Sequence, residues 1–179
     1  LCGMAAAAVK CGVRKLRVTG GEPLVRRGIV DFCRMLRELD SVEELCLTTN
    51  GSLLPELAVP LRAAGVDRLN ISLDTLRPER FRAITRLGTL ADVLRGIEAA
   101  QAAGFERLKL NCVLLGGVNE DEIADFVNLT REKPWQVRFI ERMPMGVCAD
   151  YGGRLPAQTV LEKCPALEKI GDEGVASLY

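Results

Sequence analysis

The chain contains no histidine. Imidazole acid–base catalysis, Ser–His and Cys–His nucleophile pairs and histidine metal ligands are therefore excluded together. It also lacks an excess of charge, because 24 Lys and Arg balance 24 Asp and Glu. That balance argues against a nucleic-acid partner held by bulk electrostatics and leaves room for a local basic patch. No stretch reaches the ~18 apolar residues of a membrane span. The longest run of small apolar residues, 4–9, has neither the basic start nor the cleavage region of a signal peptide. Seven cysteines are present, at positions 2, 11, 33, 46, 112, 148 and 164. An odd number argues against a closed disulfide framework. No two of them stand at C-x-x-C spacing, so zinc-ribbon and iron–sulfur motifs are missing, and no metal ligands are expected within this chain.

What is present is a globular composition, 48% hydrophobic and 27% charged over 179 residues, enough for one ordinary domain. The first residue is Leu, and the opening reads as the middle of a helix without a capping residue. The expectation is a fragment of a longer chain. From residue 14 to about 143, short β runs alternate with helical runs. Strands are expected at 15–19, 45–49, 67–73, 108–115 and 137–140. Helices are expected at 30–39, 55–64, 90–103 and 120–131. The stripe Val93, Leu94, Ile97 and Ala100 marks one buried helix face; Gly104 reads as its C-cap and Asn119 as the N-cap of the next helix. Beyond 146 the pattern weakens to a loop, one short helix within 156–164 and an uninterpreted tail at 168–179.

Such alternation means βαβ units, a parallel sheet and an α/β fold. Each strand is apolar on one side only. Leu16 and Val18 oppose Arg17 and Thr19; Leu45 and Leu47 oppose Cys46, Thr48 and Asn50. Leu69, Ile71 and Leu73 oppose Asn70, Ser72 and Asp74, and Leu108 and Leu110 oppose Lys109 and Asn111. A sheet covered by helices on both faces reads as nearly continuous apolar runs instead. Buried polar groups need partners, so a polar face is costly to cover with helices. The reading is a curved sheet or barrel, apolar side toward the helices and polar side toward a ligand-filled lumen. An open sheet with one wet face is the alternative.

Thr19-Gly20-Gly21-Glu22-Pro23 sits between a strand and a helix, where the mouth of a barrel carries chemistry. Its glycines allow close backbone approach, and Glu22 offers a carboxylate to an ammonium group. The spacing fits neither a dinucleotide-binding fingerprint nor a P-loop. An ordinary strand–helix turn is the competing reading. Arg17 and Lys109, on the inner face, need partners: an anionic ligand such as a polyphosphate, or an internal carboxylate, Asp74 or Glu141. Thr48, Asn50, Asn70 and Ser72 are neutral donors and acceptors on that side. Cys33, Cys46 and Cys112, and Met143 and Met145, read as core. Arg80, Arg82 and Arg86 near Phe81 read as a solvated helix face.

The Gly-Gly-Glu-Pro run resembles the motif ending the second barrel strand of radical S-adenosylmethionine (SAM) enzymes. The surrounding blocks narrow the resemblance: 14–19 before the motif, 24–27 after it, then 47–51, 70–76, 109–113 and 138–146. In that order they resemble the GTP 3′,8-cyclase family, the molybdenum cofactor biosynthesis protein A family, strongly over 12–146 and weakly beyond.

The resemblance implies a partial (β/α)6 TIM-like barrel missing its first strand. Residues 1–146 would form the incomplete barrel core, and 147–179 a linker and the start of a truncated C-terminal region. It implies a [4Fe–4S] cluster that cleaves SAM reductively to a radical. That radical takes hydrogen from C3′ of GTP, and C3′ then attacks C8 of guanine to give (8S)-3′,8-cyclo-7,8-dihydroguanosine 5′-triphosphate. Gly21, Glu22, Ser72 and Met143 match SAM-binding positions; Arg17, Thr48 and Lys109 match GTP-binding positions. No catalytic side chain is assigned. Two [4Fe–4S] clusters are expected in the family, and their ligands are absent here, so the isolated chain is expected to be inactive. Also implied are a homodimer, a cytoplasmic setting, no nucleic-acid or membrane partner, and delivery of the product to cyclic pyranopterin monophosphate synthase. The residue before Met143 is Arg142, where the family would have an aromatic or apolar residue. A peptide- or haem-modifying radical SAM enzyme and a degenerate, non-catalytic nucleotide-binding barrel are the alternatives.

Overall fold

The computed structural model describes residues 1–143 and 152–179. The expected boundary at 146/147, Met145 and Cys148 lie outside the described residues.

Five strands form one parallel sheet in the order β1-β2-β3-β4-β5: Lys15–Val18, Glu44–Thr49, Arg68–Ser72, Leu108–Leu114 and Trp135–Glu141. Helices fill the connections: α1 (Cys2–Lys10) precedes β1, α2 (Ile29–Arg37) and α3 (Leu54–Ala63) follow β1 and β2, α4 (Pro78–Thr85) and α5 (Leu90–Ala102) follow β3, and α6 (Ile123–Glu132) follows β4. The order never reverses, unlike that of a doubly wound sheet. With crossovers of one hand, an unreversed order places every helix on the same face. The alternation in the strands thus has a direct cause: one face meets helices and the other does not.

The helix-side face is apolar. Leu47, Leu69 and Leu108 are in register across three strands and essentially fully buried. Each contributes about 1.5–3 kcal/mol through burial. Ile71, Leu110, Cys33 and Cys112 join the same core with Val93, Ile97 and Ala100 of α5. Leu94, expected in that stripe, is exposed, and Gly96 is buried instead, against the loop after β2. There α5 packs so closely on the loop after β2 that a Cβ at Gly96 would run into the Gly51 carbonyl oxygen. Thr89 and Asp92 form a capping box at the start of α5, and Gly104 follows its end at φ +85°.

After α7 (Gln158–Lys163) the tail forms an antiparallel hairpin, β6 (Gly171–Glu173) with β7 (Ala176–Leu178). Gly174 makes its turn at φ +64°. This hairpin replaces the uninterpreted tail of the sequence reading.

Candidate functional site

Residues paired in register across a parallel sheet share a face. The helix-free face therefore carries three polar rows. Ser72, Asn111 and Arg138 form the row nearest the carboxyl ends of the strands. Thr48, Asn70, Lys109 and Gln136 form the next. Arg17, Cys46 and Arg68 form the third. Rows two residues apart lie about 7 Å from one another along the strands. Three of the expected positions, Thr48, Lys109 and Arg17, thus fall on one face with Ser72, as the alternation requires.

Beyond the carboxyl ends of the strands lie Gly20, Gly21 and Glu22 after β1, Asn50 after β2 and Met143 after β5. Ligands of α/β sheets bind at this edge. Neither Gly20 nor Gly21 has a positive φ, and a Cβ added to either would meet nothing within 4 Å. Nothing inside the protein demands glycine there, and the open space leaves the backbone accessible to a ligand. Glu22 is already engaged. Its Oε1 accepts the Leu24 N–H at 3.0 Å and the Thr49 hydroxyl at 2.7 Å, and its Oε2 accepts the Asn50 N–H at 2.6 Å. The carboxylate fastens the glycine loop to the end of β2.

Met143 is 70% exposed just past β5, so it is not the core residue its composition suggests. Cys46 is buried as expected, though on the polar face, with Arg68 Nη2 at 3.2 Å from its sulfur. Asn70 and Asn111 each hold a buried Oδ1 with no hydrogen-bond partner among the described residues. Buried acceptors left unmatched on a polar face suit a ligand bearing N–H or O–H donors.

The charges on this face meet at one carboxylate that sequence reasoning missed. Lys109 is 5% exposed and was expected to pair with an anionic ligand, Asp74 or Glu141. Its Nζ instead lies 2.5 Å from Glu173 of the hairpin, while Arg68 and Arg138 reach Glu173 at 3.6 and 3.9 Å. Burial pulls Lys109 below the ordinary lysine range; Glu173 opposes this, and Arg68 and Arg138 add to it. The Lys109 ammonium holds Glu173 below the usual carboxylate range. Asp74 serves another purpose. Its Oδ1 accepts the Val113 N–H at 2.8 Å, and burial raises its pKa. Glu141 accepts the Ala157 N–H at 2.8 Å.

A second network supports the end of β3. Glu122 is fully buried and accepts the Thr75 hydroxyl at 2.7 Å, the Leu76 N–H at 2.6 Å and Arg80 Nη1 at 2.7 Å. Arg80 also pairs with Asp121 at 2.5 Å, so it is a structural tie rather than part of a solvated face. Asn119 stands before α6 without capping it. Its amide donates to the Asp74 and Val113 carbonyls, at 2.7 and 2.8 Å, and its Oδ1 accepts the Leu115 N–H. Among the described residues the cysteines Cys2, Cys11, Cys33, Cys46, Cys112 and Cys164 are free. Among the described residues no group of three His, Cys, Asp or Glu side chains is placed to hold a metal ion. No helix among them is long and apolar enough to cross a membrane.

The chain is 59% identical over 141 residues to a GTP 3′,8-cyclase of Heliobacterium modesticaldum, covering 79% of this chain and 43% of that protein. It is 50% identical over 181 residues to a GTP 3′,8-cyclase of Peptoclostridium acidaminophilum, covering 97% of this chain and 54% of that protein. The chain thus spans about half the length of the curated relatives it matches. Among solved structures it resembles coproporphyrinogen III oxidase (HemN) of Escherichia coli, a radical SAM enzyme, with a TM-score of 0.66 and 16% identity over 92% of this chain and 43% of that one. It also resembles a domain of pyruvate-formate lyase-activating enzyme from Bacteroides vulgatus, with a TM-score of 0.61 and 18% identity over 84% of this chain and 90% of that one. The radical SAM superfamily pattern matches residues 3–130, a span that takes in β1 to β4, the glycine loop and the helices between them, and the chain belongs to that superfamily.

Proposed function

We propose that this chain is the SAM- and GTP-binding core of a GTP 3′,8-cyclase, the enzyme of the first step of molybdenum cofactor biosynthesis. The observation that carries the reading is the placement of Arg17, Thr48 and Lys109 on the one sheet face free of helices, below Ser72 and the open glycine loop. The named relatives at 50% and 59% identity support it. The sheet is then an incomplete (β/α)6 barrel, a curvature consistent with an unreversed strand order. In this reading the core is the stretch assigned to 1–146 by resemblance, of which 1–143 are described, with 147–179 assigned as a linker and the start of a C-terminal region.

The open glycine loop and the unmatched asparagine oxygens fit SAM. In this reading the Gly21 backbone would hold the methionine end of SAM, with Ser72 and Met143 completing the site. Glu22 holds that loop in place through its three accepted hydrogen bonds. Bound SAM supplies the hydrogen-abstracting group that acts on C3′ of GTP. Lys109 and Arg17 take the phosphate charge, and Thr48 offers a hydroxyl at the level of Lys109. Among the described residues no group of side chains fits an iron–sulfur cluster; the two [4Fe–4S] clusters of the family reading belong to this proposal for the whole protein. Assembly as a homodimer, a cytoplasmic setting and delivery of the product to cyclic pyranopterin monophosphate synthase complete the proposal.

The test is anaerobic reconstitution of the whole protein with iron and sulfide, followed by incubation with SAM, a reductant and GTP. Formation of the 3′,8-cyclised nucleotide is expected. SAM cleavage without that product overturns the substrate assignment.

A further inference from the structure

Glu173 enters the polar face from 64 residues beyond Lys109 and meets three cations there. Among the described residues, little else holds its hairpin. Val175 is fully exposed, Ile170 is 78% exposed, and no residue of β6 or β7 joins either hydrophobic cluster. A lone two-stranded hairpin is only marginally stable in water. Among the described residues, the ion pairs of Glu173 are therefore its main tie to the sheet. The cations are not neutralised by it. Arg68 also pairs with Glu44 at 3.3 Å, and Glu44 is shared with Lys15 at 3.6 Å, so Glu44 and Glu173 face Lys15, Arg68, Lys109 and Arg138. The cluster has spare positive charge and calls for more negative charge than its two carboxylates supply.

We propose that the β6–β7 hairpin is an internal plug, in which the Glu173 carboxylate occupies the anion position formed by Arg68, Lys109 and Arg138 and must leave when a polyphosphate binds. This rests on the reading that the polar face takes a polyphosphate. A triphosphate carries several negative charges where Glu173 carries one, and guanidinium groups match phosphate oxygens bidentately. The plug thus keeps the cations paired while no substrate is bound, and substrate affinity is set by the difference between the two anions. Arg68 and Arg138 enter the site by this route, beside Lys109.

The experiment titrates inorganic tripolyphosphate into the wild-type chain and Glu173→Gln, and follows amide hydrogen exchange of residues 171–178. The plug predicts about tenfold or tighter binding to Glu173→Gln, the effect of removing one charge-assisted competitor. It also predicts faster exchange of the wild-type hairpin amides once tripolyphosphate is added. Equal or weaker binding to Glu173→Gln, or hairpin exchange unchanged by ligand, overturns the plug and leaves the polyphosphate reading standing. If neither protein binds tripolyphosphate, the polyphosphate reading fails and the plug fails with it.

Discussion

Glu22 accepts the hydroxyl proton of Thr49 at 2.7 Å, which ties the loop after the first strand to the end of the second. The Asn50 and Leu24 amides complete the clamp, at 2.6 and 3.0 Å. One carboxylate thus fixes the position of a glycine pair that has no steric need for glycine. Glu22→Ala is expected to destabilise the chain by about 2–3 kcal/mol, because two backbone donors and a hydroxyl lose a charged acceptor. Glu22→Gln keeps one acceptor oxygen and should lose less. Urea midpoints of the three proteins measure this; equal midpoints contradict the clamp.

The buried Glu122 makes a sharper prediction. Glu122→Leu strands the Thr75 hydroxyl and the Leu76 amide and removes one of the two carboxylates that bind Arg80. Glu122 is buried but Arg80 stays partly exposed, so the loss comes mainly from the two stranded donors, at about 1–3 kcal/mol each. Thr75→Val, which removes only the hydroxyl, should cost about 1–2 kcal/mol. Chemical denaturation of each variant checks the order of the two losses.

Two glycines should respond in opposite directions. Gly96→Ala drives a methyl group into the Gly51 carbonyl, where backbone rather than a movable side chain must give way. A loss of about 3 kcal/mol is expected from such overpacking. Gly3→Ala lies in α1 with nothing within 4 Å of the new Cβ, so it should gain about 0.5–1 kcal/mol through helix propensity. Thermal or denaturant unfolding measures both.

Docking of the hairpin should depend on pH in one direction. Glu173 has its pKa lowered in the folded chain by Lys109. A lowered carboxylate contributes stability above its unfolded value and loses it as pH falls through the folded one. The hairpin should therefore stay docked from neutral pH down to the ordinary glutamate range and loosen below it. Trp135, the single tryptophan, lines the same cavity as Glu173, so its fluorescence reports the change. Glu173→Gln is undocked throughout and should lack this transition.

Much of the fold was legible in the residues. The one-sided strands gave the parallel sheet, its helix-free polar face and the membership of Arg17, Thr48, Ser72 and Lys109 in that face. Legibility failed where a partner is distant in sequence or a side chain does two jobs. Strands of three residues carry no usable periodicity, so the hairpin and Glu173 went unseen; the Gly174-Val175 turn was the only local sign. Arg80 looked solvated because its partners, Asp121 and Glu122, lie 41 and 42 residues away. Asn119 looked like a cap because its type and position fit one, but two carbonyls at the ends of β3 and β4 claim its amide.

The central claim is that the helix-free face holds GTP through Lys109. Calorimetric titration of GTP into the wild type and Lys109→Ala tests it most directly. The account predicts binding weakened by about 1–3 kcal/mol in Lys109→Ala, the loss of a charge-assisted hydrogen bond. An unchanged affinity for GTP would contradict it.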